Sequence, residues 1–289
     1  MTSITSGQAA MDKYFVLGNP IAHSKSPLIH ARFAELTGQA LTYEPLLTPL
    51  DGFAATLAQL MRSGAKGCNV TVPFKFEAFQ AANTQSDRAQ LAQAANTLTF
   101  DEGAVHADNT DGVGLVRDIQ DNAGVSLTGL DVLLIGAGGA GAGALGALLA
   151  AGPRRLVLVN RTKTKADALV ERHKAHASLR QALQKTELLV QDMKGLEGNF
   201  DVIINASASS LTGGAVPVDS RVLKPGALAY DMMYGPAAAG FMNWAREHGA
   251  TPRDGLGMLV EQAAEAFALW RKVRPPSAQV LQEMRALLT

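Results

Sequence analysis

Cysteine is all but missing from this chain: Cys68 is the only one among 289 residues. An intrachain disulfide is excluded, and such usage suits a reducing compartment, the cytoplasm. Charge of one sign is missing too, because 26 lysines and arginines face 26 aspartates and glutamates. No basic field is on offer to nucleic acid or to an anionic membrane. The opening "MTSITSGQAAMDK" has neither a basic start nor an apolar core and does not read as a signal peptide. A short disordered lead-in is expected there, with order beginning near Lys13. The six histidines form no ligand spacing with Cys68, and His173 and His176, in "ERHKAH", read as solvated rather than as metal ligands. A Gly-x-Ser-x-Gly elbow, internal repeats and low-complexity linkers are all lacking.

What is present is an α/β pattern long enough for two domains. Strand-like segments at 13–19, 41–47 and 67–72 alternate with helical ones at 26–38, 51–64 and about 75–93, and short strands follow at 94–100 and 104–107. Residues 108–124 read as a loop entering a helix and as the first crossover between domains. Beyond them the texture becomes more apolar, with strand candidates at 130–136, 154–160, 186–192, 200–206 and 227–233, as expected of strands buried on both faces. A last amphipathic helix is expected at 255–273, ending before "RPPS". The uncharged run 132–152 is 21 residues long, enough for a bilayer. Seven of those residues are glycine, and the run divides into strand, turn and helix.

"GAGGAG" (136–141) sits at that turn. Gly136 permits the tight turn, Gly138 lets a pyrophosphate reach backbone N–H groups, and Gly141 allows helix and strand to pack closely. Such small-residue runs sometimes serve only packing, but the strand before it and the helix after it favour a dinucleotide site over a structural turn. The second strand of this unit ends in Asn160, Arg161 and Thr162, with Lys165 one turn on, where a NAD-specific site places a carboxylate. Guanidinium and hydroxyl groups suit a 2′-phosphate, so the expected cofactor is NADP. Lys163 reads as a solvated charge at a helix start.

Several polar residues stand at strand ends, where α/β sheets place ligands. Ser24 and Ser26 flank a helix start, where hydroxyls suit a carboxylate, although Ser26 reads equally as a plain N-cap. Lys75 follows the strand 67–72, and Asp111 lies in "NTDG". A surface lysine and a helix-capping aspartate are the bland alternatives. An ammonium held by a carboxylate would instead exchange a proton with a carbonyl oxygen in either direction.

"GNPIAHSKSP", "NVTVPFK", "AANTL", "NTDG", "GAGGAG", "NRT", "YDMMY" and "DGLGMLVEQAAEAF" run in that order from residue 18 to residue 267, and in this the chain resembles the shikimate dehydrogenases. The resemblance implies NADP-linked reduction of 3-dehydroshikimate to shikimate. It also implies a substrate domain built from residues 1–112 and 254–289 around an inserted Rossmann domain at 113–253. By motif, Ser24 and Ser26 correspond to ligands of the substrate carboxylate. Thr71, Asn96, Asp111, Tyr234 and Gln262 correspond to groups that bind ring hydroxyls, and Lys75 to the acid/base. Gly136, Ala137, Gly138, Gly139, Ala140, Asn160, Arg161, Thr162, Lys163, Thr164, Lys165, Met232 and Gly255 would line the cofactor, with Asp87 beside it. By spacing alone, Gln262 on the apolar stripe of its helix could equally be a buried amide satisfied by backbone. The chain departs from many relatives in having Gly141 and Ala142 after "GAGGA", and "NASAS" (205–209) where "NATS" is common. Both departures touch the cofactor cleft, which places more of the NADP preference on Arg161 and Lys165. A quinate/shikimate dehydrogenase of broader substrate and cofactor use, and a non-catalytic sensor on the same fold, are the rival expectations. Monomer and homodimer are both compatible with the sequence.

Overall fold

A computed structural model describes residues 11–207 and 216–288 of the chain. Most of the expected lead-in, and the end of "NASAS", lie outside the described residues; Asp12 already belongs to the first strand. Two six-stranded sheets divide the sequence between them. The first contains β1 (Asp12–Gly18), β2 (Leu41–Leu47), β3 (Gly67–Val70), β4 (Thr84–Gln85), β5 (Thr97–Asp101) and β6 (Ala104–Asp108), ordered β2-β1-β3-β5-β6-β4. β1 runs parallel to β2 and β3, whereas β5 is antiparallel to β3 and β6.

The second sheet contains β7 (Asp131–Ile135), β8 (Arg155–Val159), β9 (Glu187–Gln191), β10 (Phe200–Asn205), β11 (Leu223–Asp231) and β12 (Thr251–Arg253). All pairs are parallel, and the order β9-β8-β7-β10-β11-β12 is that of the doubly wound dinucleotide-binding fold. Its strands look uniformly apolar in sequence, yet they keep the two-residue period of a sheet. Val132, Leu134, Leu156, Leu158, Val202 and Ile204 enter one core. Leu133, Ile135, Val157, Val159 and Ile203 enter the core on the opposite face. Each such side chain, fully withdrawn from water, contributes roughly 1.5–3 kcal/mol, so the sheet is held from both sides.

The stretch expected to be helical over 75–93 is broken. Helix Lys75–Gln80 ends, β4 pairs with β6, and a new helix, Asp87–Ala92, begins where the Ser86 hydroxyl accepts from the Ala89 N–H. Ser26 is the first residue of its helix, not the cap; Lys25 holds the cap position, and the Ser26 N–H donates to Ser24 Oγ at 3.3 Å. The late helix runs Leu256–Arg271, and beyond "RPPS" the chain forms a further helix, Ser277–Leu288. That helix, the helix Ala239–Glu247 and the short β12 went unread in the sequence. His173 is not solvated: it is fully buried, with Nδ1 on the Leu169 carbonyl at 2.9 Å.

Two passages link the sheets. The helix Asp111–Arg117, continued by a wider turn over Asp118–Asn122, leads from the first to the second, and Asp254 and Gly255 lead back into Leu256–Arg271. These two helices pack so closely that a Cβ on Gly114 would lie 2.7 Å from the Gln262 backbone nitrogen. Asp118, with no exposed surface, accepts hydrogen bonds from Tyr230 Oη at 2.8 Å and from Arg253 Nε and Nη2 at 2.8 and 2.5 Å. Both passages are thereby tied to one buried carboxylate.

Candidate active site

A cavity of about 710 Å3 opens between the two sheets, within the range of small-molecule sites. Its floor is the carboxyl end of the first sheet. Thr71 leaves β3, and Lys75 opens the helix behind it; Asn96 precedes β5, and Asp111 begins the crossover helix. Ser24 and Ser26 stand at the start of helix Ser26–Thr37. Gln262 reaches in from helix Leu256–Arg271, and Tyr234 comes from the loop after β11. All eight line the cavity, together with Gly139, Ala140, Met232 and Gly255 from the second sheet's side.

Lys75 Nζ lies 2.5 Å from Asp111 Oδ2. The aspartate side chain therefore does not cap its helix; its other oxygen accepts from Asn96 Nδ2 at 2.8 Å. The Asn96 Nδ2 also faces Gln262 Oε1 at 3.2 Å, and Gln262 Nε2 donates to the Leu259 carbonyl at 2.9 Å. The Gln262 amide is thus bonded to backbone, and the residue also lines the cavity. Burial raises the Tyr234 hydroxyl pKa above the ordinary tyrosine value, so it stays a neutral donor at physiological pH.

Asn69 is the residue that sequence reasoning missed. It lines the cavity and is buried in β3, accepting from Tyr43 Oη at 2.7 Å and donating to the Asn96 carbonyl at 3.0 Å. The available signal was an amide inside an otherwise apolar strand, where a buried polar group requires partners.

The glycine loop fits a dinucleotide. Gly136 has φ of +110°, and a Cβ on Gly141 would sit 2.0 Å from the Gly136 carbonyl oxygen, so both positions exclude larger residues. A Cβ on Gly138 or Gly139 would meet nothing within 4 Å, which leaves open space before the start of helix Gly139–Ala150. The Ala137 N–H donates to Asn160 Oδ1 at 3.1 Å, and Asn160 Nδ2 donates to the Thr162 carbonyl at 2.8 Å, so β8 braces the loop. Arg161, Thr162, Thr164 and Lys165 are exposed at the carboxyl end of β8, outside the cavity lining. Lys163 is paired with Asp167 at 2.7 Å, whereas no ion pair among the described residues engages Arg161 or Lys165. Asp87 is exposed in the first turn of its helix and does not line the cavity.

A parallel Rossmann sheet carrying this loop, facing a second α/β sheet across a polar cleft with a lysine–carboxylate pair, defines a two-lobed nicotinamide-dependent dehydrogenase. Residues 16–98 match the shikimate dehydrogenase substrate binding domain, residues 118–212 match shikimate / quinate 5-dehydrogenase, and residues 255–285 match the shikimate 5′-dehydrogenase C-terminal domain. Shikimate dehydrogenase (NADP(+)) of Acidovorax sp. (strain JS42) is 66% identical over 280 residues, covering 97% of this chain and 98% of that protein. The crystal structure of an Ael1 enzyme from Pseudomonas putida is 47% identical with a TM-score of 0.85, covering 94% of this chain and 97% of that one. Shikimate 5-dehydrogenase from Thermus thermophilus, solved in complex with NADP(H) and shikimate, is 29% identical with a TM-score of 0.82, covering 96% of this chain and 99% of that one. The chain belongs to the shikimate dehydrogenase family. Among the described residues no helix is long and apolar enough to cross a membrane.

Proposed function

We propose that this chain catalyses the reversible NADPH-dependent reduction of 3-dehydroshikimate to shikimate, a step of the shikimate pathway to chorismate and the aromatic amino acids. Residues 1–112 and 254–289 form the substrate-binding domain, and residues 113–253 bind NADP. The enzyme works in the cytoplasm as a monomer or homodimer, on a small-molecule substrate, without nucleic acid or membrane.

Ser24 and Ser26 receive the substrate carboxylate at the start of helix Ser26–Thr37, where the positive end of the helix dipole favours an anion. Thr71, Asn96, Asp111, Tyr234 and Gln262 orient the ring hydroxyls around the same cavity. Bound NADPH supplies the hydride. Lys75 Nζ gives its proton to the oxygen of the carbonyl being reduced and takes it back in the reverse direction, while Asp111 holds the ammonium in place. Arg161 and Lys165 face the 2′-phosphate side, engaged in no ion pair among the described residues, and Asp87 stands near the same cofactor.

The observation that carries this reading is the Lys75–Asp111 pair, 2.5 Å long and set in the cavity wall. The test is nicotinamide absorbance in assays with shikimate and quinate, each with NADP+ and NAD+, on the natural chain and on Lys75→Ala. Shikimate with NADP+ should be the best pair, and the variant should lose about 10²–10⁴ in kcat with little change in KM. Near-normal turnover by Lys75→Ala would sink the proton-transfer role, and a preference for quinate would replace the substrate.

A further inference from the structure

We infer that Thr97 is a positioning residue: its hydroxyl relays a one-way series of hydrogen bonds from Asn69 to Asn96 and so fixes the Asp111 carboxylate against Lys75. This rests on the reading of Lys75 as the acid/base.

The direction of the series follows from backbone groups, which have no choice of role. The Asn96 carbonyl can only accept, so the group of Asn69 that faces it at 3.0 Å is the NH2. The Thr110 N–H can only donate, so the atom of Asn96 that meets it at 2.9 Å is the amide oxygen. The Leu259 carbonyl fixes Gln262 in the same manner. With these amides set, the second N–H of Asn69 points at Thr97 Oγ1, 3.0 Å away. Having accepted there, the Thr97 hydroxyl turns its own proton to Asn96 Oδ1 at 2.9 Å.

Asn96 Oδ1 thus accepts from the Thr97 hydroxyl and the Thr110 N–H, with the Thr110 hydroxyl also 3.2 Å away, and Asn96 Nδ2 presents an N–H to Asp111 Oδ1 at 2.8 Å. Donors on an amide oxygen polarise the amide and strengthen the bond made by its nitrogen. Strand register places the relay, because Thr97 is the β5 residue directly opposite Asn69 on one side and Asp108 on the other. Thr97 is 1% exposed and Asn96 3%, so bulk water does not replace a missing hydroxyl.

Thr97→Val removes the hydroxyl and keeps the branched shape that suits a strand; Thr97→Ala removes it in a smaller side chain; Thr97→Ser restores it. In both hydroxyl-free variants kcat for shikimate oxidation should fall about three- to tenfold, with KM within about twofold of the natural chain. The serine variant should recover kcat. Unchanged kcat in the valine and alanine variants would overturn the inference, as would equal losses in serine and valine variants accompanied by a lowered melting temperature. Lys75→Ala, measured alongside, separates the two levels. If it keeps turnover, the proton-transfer reading fails; if it is dead while Thr97→Val matches the natural chain, only the role of Thr97 fails.

Discussion

The two walls of the cleft are built on opposite plans. On the side of the first sheet, Asn69, Asn96, Asp111 and Gln262 already spend hydrogen bonds on one another or on backbone. On the side of the second sheet, Gly138 and Gly139 face open space, and Arg161 and Lys165 are exposed. The first wall is organised before any ligand arrives, which is what precise orientation of a reacting group demands. The second wall supplies shape and charge and leaves the bonds to be made by what binds. Damage to the first should therefore show in kcat, and damage to the second in cofactor affinity.

The sharpest way to break this contrast is at Asp111. Asp111→Ala should lower kcat by about 10²–10⁴, on the scale expected for Lys75→Ala. The double variant should be little worse than either single one, because groups acting as a unit are not additive. Steady-state kinetics on the three variants decides it; multiplying losses would mean that the pair does not act together.

Next in size is Asp118, which serves neither wall and ties the two passages between sheets. Asp118→Ala leaves the Arg253 guanidinium and the Tyr230 hydroxyl without their shared acceptor. Unpairing a buried charge costs about 3 kcal/mol, readable as a lowered urea midpoint. A variant with an unchanged midpoint would show that the carboxylate contributes little.

On the open wall, Arg161→Asp should raise the KM for NADP+ at least about tenfold while that for NAD+ moves far less. The difference should shrink with added salt, because the site is exposed. Equal changes for both cofactors would mean that Arg161 does not meet a 2′-phosphate.

The same contrast explains what could be read from the sequence. The glycine loop and the strand after it are local, with Gly136 to Gly141 carrying their meaning in six consecutive positions, and the α/β class followed from strands alternating with helices. The relay behind Asp111 joins Asn69, Asn96, Thr97 and Gln262 across as many as 166 positions, so only the fold makes it visible. Elements with weak signals were missed for physical reasons. β12 is three residues long and is held by pairing with β11 rather than by its own pattern. The break inside 75–93 depends on β4 finding β6. His173 looked solvated because its neighbours in "ERHKAH" are polar, yet its helix turns that one position inward.

Buried histidines provide the last and smallest test, one in each lobe. His30 stacks on Tyr43 with ring centroids 4.0 Å apart, and burial lowers its pKa from 6.5 to about 3. In the second lobe, burial lowers the pKa of His173 from 6.5 to about 4. Both are neutral in the folded chain at mildly acidic pH, whereas the unfolded chain takes up protons there. Since the unfolded state binds more protons below about pH 6.5, stability falls as the pH drops from there toward the folded-state values. Between pH 6.5 and about pH 5.5 each histidine should contribute about 1 kcal/mol of that loss. His30→Phe preserves a flat ring against Tyr43 and removes the titration. Urea unfolding across this window should then show a slope reduced by the share of His30, with the share of His173 still present. An unchanged slope would mean that His30 takes its proton as readily folded as unfolded, and that the lobe behind the organised wall is wetter than its packing indicates.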